Sequence, residues 1–319
     1  MDSAITSAVK GFNFKCKKIQ KEKSGIVIAT DQGAKLLLRS RACIDAIMYC
    51  HDVKEFLFDK GIITDRFHLS AHGLPYLITG GETYLLTDYY NCPDGLFADS
   101  AAFLAIISEL AKIHSALKFN TVSRPAQPRP LLGDEADKSI GNLRATRKKL
   151  LKTGRFTDFD MMFLKGLDFF GNSLDNWIQL NNGSEIMALK AEGIAFVCHN
   201  LLKEENINNN NGKITIINFA EASPGHYIYD LAYIIKRYIL SAPPALSLHQ
   251  ILESYTTHNE ISRIEIKFLR ELLLFPDKFI KIADSYYFKK RPFVPKAFSL
   301  RMEEIIRTKE DVVDFCADL

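Results

Sequence analysis

The sequence predicts an α+β, bilobal fold, with a small β-rich N-terminal lobe over about residues 1–90 and a larger, mainly helical C-terminal lobe over 91–319. Three observations predict it. Up to about residue 90, short apolar runs alternate with glycine-containing turns, the mark of hairpins. Beyond it, apolar residues recur at helical spacing through most of the chain. Within that helical stretch, one short hairpin pattern, residues 196–219, carries polar residues at fixed spacing.

The elements follow in order. Gly25–Ala29 reads as a strand, Asp31-Gln32-Gly33 as a turn and Lys35–Arg39 as the returning strand. Ile44–Asp59 is predicted as a helix, because Ile44, Ile47, Met48, Val53, Phe56 and Leu57 fall close to helical period and Gly61 stops it. Leu74–Thr79 and Thr83–Asp88 are strands around the hairpin signal Gly80-Gly81. Asn91-Cys92-Pro93-Asp94-Gly95 breaks the pattern and reads as a hinge. Phe103, Ile106, Ile107, Leu110, Ile113 and Leu117 form one apolar stripe of a helix of about four or five turns. Thr121–Asp137, with Pro125, Pro128 and Pro130, reads as a surface crossover loop. Asp137–Lys152 is a helix whose basic residues read as a solvated face, and Thr157–Asn181 is a long helix with Thr157 as N-cap. Asn208–Gly212 is a hairpin tip before the strand Lys213–Phe219. Asp230–Leu240, Leu248–His258, Ser262–Leu274, Asp277–Lys289 and Lys296–Arg307 complete the helices.

Composition narrows the function classes. At 319 residues, 47% hydrophobic and 25% charged, the chain resembles an ordinary globular protein with room for two lobes. A net charge of +3 gives no reason to expect nucleic-acid binding. The eight histidines are scattered, and the six cysteines form no CxxC pair and no zinc spacing, so no metal site and free thiols are expected. Lys10, Lys15, Lys17 and Lys18 interrupt any signal-like core at the N-terminus. No apolar run is expected to reach the length of a membrane span; the best candidate, near Tyr233–Leu248, carries Lys236 and Arg237. The expectation is a soluble intracellular chain.

The segment Phe196–Ile207 with Ile216-Ile217-Asn218-Phe219 carries the chemistry. It has the frame His-x-Asp-x-x-x-x-Asn of a phosphotransferase catalytic loop, with His199 first and Asn206 last. Leu201 fills the Asp slot, and Asn218 stands where a strand would end in a metal-binding Asp. Phosphoryl transfer needs one carboxylate to orient the hydroxyl and another to hold magnesium on the phosphates. Leucine cannot accept a proton, and an amide oxygen brings magnesium no charge. Losing the general base alone costs about 10²- to 10⁴-fold in rate.

In this order of elements the chain resembles the protein-kinase-like fold, in its aminoglycoside phosphotransferase/choline kinase branch. Within that branch it is similar to the CotS-related spore-coat proteins of spore-forming bacteria. Four segments carry the likeness: Glu109–Ala116, the hairpin Val197–Ile207 with Lys213–Phe219, Tyr229-Asp230-Leu231-Ala232, and Leu273–Phe279 with Ser285–Lys290. The resemblance implies that the catalytic Asp falls on Leu201, the metal Asp on Asn218, the loop Asn on Asn206 and the structural Asp of the large lobe on Asp230. The phosphate-binding cation of the third strand falls on Leu38 or Arg39, and its helix partner on Glu55 or Asp52. The hinge that would meet an adenine ring falls on Thr87, Asp88, Tyr89 and Tyr90.

Each of these residues also has a plain reading. His199 braces the loop, Asn206 is a loop-stabilising amide, and Asp230 is a buried acceptor. Arg39 is either a phosphate ligand or an exposed strand arginine. Glu221, Glu204 and Glu205 are the candidates for a replacement carboxylate. His226 is a loop residue, and Tyr286, Tyr287 and Phe288 are packing aromatics. Lys289, Lys290 and Arg291 form a solvated basic tip, or a contact for an acidic protein. The expectation is therefore a catalytically inactive, kinase-like spore-coat protein that acts by binding other coat proteins, made in the mother cell and destined for the coat. No cofactor is expected; ATP and magnesium enter only under the alternative of an active phosphotransferase with a displaced site, or of a nucleotide-sensing pseudoenzyme.

Overall fold

The computed structural model describes residues 3–22, 25–118, 136–193, 195–241, 244–289 and 295–317. The chain divides into two units: Met1–Gln127 with Ala195–Pro224 and Thr257–Asn259, and Pro128–Ile194 with Gly225–Thr256 and Glu260–Leu319.

The first unit is built on an antiparallel sheet of five strands, β1 (Cys16–Glu22), β2 (Gly25–Thr30), β3 (Gly33–Ser40), β4 (Leu77–Thr79) and β5 (Glu82–Asp88), in the order β1-β2-β3-β5-β4. Helix α1 (Ser3–Lys10) packs on one face, where Ile5, Ala8, Val9 and Phe12 meet Ile28, Leu37, Tyr84 and Leu86. Successive strand side chains point to opposite faces. The pairing of Leu37 with Leu86 therefore leaves Leu36, Leu38, Leu85 and Thr87 on the other face. Neither α1 nor β1 had been expected. Strand β1 is an edge strand, largely exposed and rich in lysine, so it shows no apolar alternation; such charges discourage edge-to-edge pairing.

Helix α2 (Ile44–Asp59) has the predicted bounds, and the chain leaves it through Gly61 at φ +76°, a left-handed position suited to glycine. Helix α3 (Ser100–Leu117) starts on Asp99, whose carboxylate accepts from the amides of Ala101 and Ala102. By length and composition alone α3 could cross a membrane, which corrects the expectation that no run is long enough. The sequence reading had looked for unbroken apolar runs and passed over a helix interrupted only by Glu109 and Lys112. Its stripe Phe103, Ile106, Ile107 and Leu110 is fully buried inside this unit.

Residues 195–224 add β6 (Val197–Cys198), the hairpin β7 (Ile207–Asn210) and β8 (Lys213–Ile216), and β9 (Ser223–Pro224), which pairs with β6. Strand β8 stops short of the expected Phe219, because Asn218 takes a left-handed conformation at φ 65° and Phe219–Glu221 closes a 3₁₀ turn. Asparagine tolerates that region better than most residues.

The second unit is helical: α4 (Ala136–Thr153), α5 (Asp158–Asn181), α6 (Ser184–Gly193), α7 (Ile228–Ser241), α8 (Leu248–Thr256), α9 (Arg263–Leu274), α10 (Asp277–Phe288), α11 (Pro295–Arg307) and α12 (Lys309–Phe315). Thr157 and Ser262 each close a capping box, with Asp160 and Glu265. Tyr286 stacks on Phe159 with centroids 3.8 Å apart, and the Tyr287 hydroxyl donates to Asp160 at 2.7 Å, so these aromatics pin α10 to α5. Phe288 is exposed. Lys236 of α7 donates to the Phe275 carbonyl at 2.7 Å and to Asp277 at 3.0 Å. His226 lies buried before α7, its Nε2 3.3 Å from Glu265. Most of the expected Thr121–Asp137 loop, and Lys290 with Arg291 of the basic tip, lie outside the described residues.

Candidate functional site

A cavity of about 610 Å³ lies wholly within the first unit. Its roof is the sheet face that α1 leaves uncovered, with Leu36, Leu38, Leu85 and Thr87. Phe67, Ile217 and Ala220 complete the apolar walls. The polypeptide after β5, from Asp88 through Cys92, forms one side, and Asn206 and Asn218 form the end of the hairpin side.

Strand register resolves the open choice between Leu38 and Arg39. Leu38 points into the cavity. Arg39, one residue on, faces the other way, and its Nε donates to Glu82 at 2.5 Å in an exposed pair. Glu55 also lies off the cavity and binds Arg66 at 3.0 Å. The α2 residue that reaches the cavity is Lys54, with 1% of its side chain exposed. Its ammonium meets the Asp65 carboxylate at 2.7 Å and sits 4.0 Å over the Phe67 ring. Lys54 and Asp65 were missed from the sequence. The available signal was a lysine set in the buried stripe of Cys50, Val53 and Leu57.

Asp65 joins α2 to the hairpin. Its Oδ1 accepts from the Asn218 amide at 2.8 Å and lies 3.3 Å from the Thr64 hydroxyl, which donates to the Ile216 carbonyl at 2.8 Å. The Asn218 side-chain amide donates to Asn206 Oδ1 at 3.0 Å, and Asn206 Nδ2 donates to the Leu201 carbonyl at 2.8 Å. The polar groups at this end of the cavity thus satisfy one another.

His199 is 1% exposed. Its Nδ1 accepts from the Leu201 amide at 3.1 Å, which leaves the proton of the neutral ring on Nε2, donated to the Ile217 carbonyl at 2.9 Å. Asn200 holds the tight loop at φ 62°, with Nδ2 donating to the Glu221 carbonyl and the Ser223 hydroxyl, both at 3.0 Å. Glu204 is occupied by the amides of Phe97 at 2.7 Å and Gly95 at 3.4 Å. Glu205 lines the cavity with its side chain largely exposed. Asp230 is buried in α7 of the second unit.

Of the predicted hinge, Thr87, Asp88, Tyr89 and Tyr90 all line the cavity. The Tyr89 amide is committed to the Ala34 carbonyl at 3.3 Å. The Asp88 carboxylate binds Lys35 at 2.7 Å and His68 at 2.9 Å. Burial raises that carboxyl, but the hydrogen bonds from His68 and Lys35 outweigh it and hold the group well below the ordinary carboxylate range. Burial, then the charge of Asp65, pushes the Cys92 thiol up to about 11, so it carries no thiolate at neutral pH.

For magnesium the arrangement offers amide oxygens in place of carboxylates, and Asn206 Oδ1 already accepts from Asn218. Among the described residues no group of three or more His, Cys, Asp or Glu side chains is placed to share a metal ion. For phosphate, Lys54 is the one cation on the described lining, and Asp65 neutralises it. These residues do not fit a magnesium–polyphosphate.

Residues 135–319, more than half of the chain, match the family model described as "Spore coat putative kinase YutH". A search of curated protein sequences gives no match. Among solved structures, an aminoglycoside phosphotransferase from Alicyclobacillus acidocaldarius is similar at a TM-score of 0.85 and 16% identity, over 98% of this chain and 94% of that one. The spectinomycin phosphotransferase APH(9)-Ia, in complex with ADP and spectinomycin, is similar at 0.66 and 13%, over 98% and 97%. The amicoumacin kinase hAmiN, in complex with AMP-PNP, is similar at 0.63 and 14%, over 98% and 94%. At these identities the likeness establishes the fold alone, the kinase-like phosphotransferase fold expected from the sequence.

Proposed function

We propose, from the premise that this chain belongs to the spore coat putative kinase YutH family, related to CotS, that it is a catalytically inert member that serves the coat by binding. One observation carries this reading. Leu201 and Asn218 occupy the two positions at which the fold's chemistry calls for carboxylates, and Asn218 is bonded into a closed network with Asn206 and Asp65. Transfer of a phosphoryl group depends on positioning and charge, so a site without a base or metal anchors has lost its main sources of rate. Leu38 in place of a strand cation removes a third source. Its partners under this reading are other coat proteins, and its location is the spore coat.

A second reading, a nucleotide-sensing or weakly active phosphotransferase, has one observation in its favour. The cavity remains open, and Glu205 lines it with an exposed carboxylate. The two readings separate in one experiment. Purified protein is incubated with ATP and magnesium and followed for ADP release and for phosphate on any acceptor, alongside thermal melts with ATP with and without magnesium. The inert reading expects no turnover and no magnesium-dependent rise in Tm, because only a ligand that binds the native state stabilises it. ADP release by the wild-type chain that the same preparation loses on cavity-filling by Ala220→Trp overturns it.

A further inference from the structure

We propose that this chain pairs with a second copy of itself through two charge-mirrored helical segments of the second unit, Lys148-Lys149-Leu150-Leu151-Lys152 of α4 and Glu310-Asp311-Val312-Val313-Asp314 of α12. The proposal extends the coat-binding reading by naming a partner, and it does not need the cavity of the first unit to be inert.

The two pentads share one pattern and carry opposite charge. Each has charges at its first, second and fifth residues and aliphatic residues at its third and fourth. At about 3.6 residues per turn, the three charges fall on one side of their helix and the fourth residue lies at its margin. All six charged residues are exposed, and so are Leu151 at 56% and Val313 at 42%. An aliphatic side chain ringed by charges is the core and rim of a small protein contact. Lys152 in the last turn of α4 and Glu310 and Asp311 in the first turn of α12 also suit the helix dipoles. That preference accounts neither for the exposed Leu151 and Val313 nor for the shared spacing.

Within one molecule these charges are left over. Arg144 and Arg147, earlier on α4, pair with Asp175 and Asp168 of α5. Lys309, beside the acidic pentad, sits 3.6 Å over the Phe169 ring. Among the described residues no ion pair engages the six pentad charges. The pentads do not serve each other either: α4 packs chiefly on α5 and α10, and α12 on α7, α9 and α11. A second copy supplies what each pentad lacks, three opposite charges at the same spacing beside an aliphatic residue. Because the pentads are different surfaces of one copy, the contact is heterologous. A pair joined through one such contact keeps a free pentad of each sign, so further copies can add. Exposed ion pairs are individually weak and screened by salt, so the association is weak and salt-sensitive.

Sedimentation velocity of the full chain at rising concentration tests this, in about 0.02 M and about 0.5 M salt, which bracket the ionic strength where the screening length is about 10 Å. The weight-average mass is expected to rise with concentration at low salt, and the rise to be largely lost at high salt. Lys148→Glu with Lys149→Glu and Lys152→Glu, and separately Glu310→Lys with Asp311→Lys and Asp314→Lys, each leave two pentads of like sign and abolish the rise. Mixed in equal amounts, these two variants associate again. Leu151→Asn with Val313→Asn changes no charge, alters only exposed side chains and weakens the association roughly tenfold. Lys17→Glu with Lys18→Glu and Lys21→Glu makes the same change of net charge on exposed positions of β1 and leaves the association in place. A wild-type chain that stays monomeric at low salt, an association that survives reversal of either pentad or is lost in the β1 variant, or a mixture of the two reversed variants that stays monomeric overturns the proposal. Each of those outcomes leaves the coat-binding reading standing, whereas phosphate transfer in the ATP assay overturns the inert reading and not the pairing.

Discussion

Two lysine–aspartate pairs, one buried and one half-buried, lie in different units of this chain and do different things. Lys54 and Asp65 meet at 2.7 Å at the floor of the cavity, with 1% and 6% of their side chains exposed. Lys236 and Asp277 meet at 3.0 Å between α7 and α10, with 15% and 23% exposed. The second pair is reinforced by the Phe275 carbonyl and lies in the stretch Leu273–Phe279, part of the segment that most resembles the spore-coat family. It is a clasp between helices α7 and α10. The first pair lines the cavity of the first unit, and Asp65 spends its other oxygen on the Asn218 amide. The same two residue types therefore join helices in one unit and tie a cavity-lining helix to the hairpin in the other. The environment decides, because a buried ion pair contributes according to what remains to be satisfied around it.

The sharpest way to break this comparison is to remove one member of the cavity pair. Lys54→Met should cost about 3–5 kcal/mol of unfolding free energy in urea, because it strands a buried carboxylate. Lys54→Met with Asp65→Asn should recover most of that loss, since the amide still accepts from Asn218. If the single variant is as stable as wild type, Asp65 does not depend on Lys54, and the account of the cavity floor fails. Lys236→Met should cost less, about 2–4 kcal/mol, because its partner is partly solvated and breaking a buried pair is costly in proportion to its burial. A loss larger than that of Lys54→Met would reverse the ranking of the two pairs.

The pH dependence supplies a third test. The Asp88 carboxyl lies below its ordinary value in the folded chain, so its stabilisation is present in full above about pH 4. It is lost as pH falls through that point toward the depressed folded value. Asp88→Asn should therefore lower stability by about 1–3 kcal/mol at pH 7 and flatten the decline below pH 4, as followed by urea melts at several pH values. A decline of unchanged steepness would remove Asp88 from the account. The smallest effect belongs to Arg39→Ala. Its exposed pair with Glu82 should contribute less than about 1 kcal/mol in urea melts, because solvent screens both partners. A larger loss would mean that the pair is not the solvated one described.

Much of the fold was legible beforehand, for local reasons. Helix α2 matched its predicted bounds because apolar spacing and Gly61 are both written in the chain. The cap at Thr157 was legible for the same reason, as a side-chain oxygen placed just before helical periodicity. Strand β1 was not, since an exposed, lysine-rich edge strand is held by pairing with β2 and has no buried face of its own. Helices α6 and α12 are short and were passed over for lack of a strong periodic stripe. The candidate site was legible as far as the hairpin frame and the hinge. Lys54 and Asp65 come from α2 and the segment after it, and no spacing rule connects them to the hairpin.

The sequence alone determined the family and the order of the hairpins and strongly periodic helices, because hairpin turns, helix periodicity and the spacing from His199 to Asn218 are local properties of the chain. Only the tertiary structure decided that Leu38 and not Arg39 faces the cavity, that the helix offers Lys54 and not Glu55, and that the lysine is already neutralised. The reason is geometric: the direction a side chain takes in a strand or helix changes completely with a shift of one residue, and charge compensation depends on distances between segments far apart in sequence.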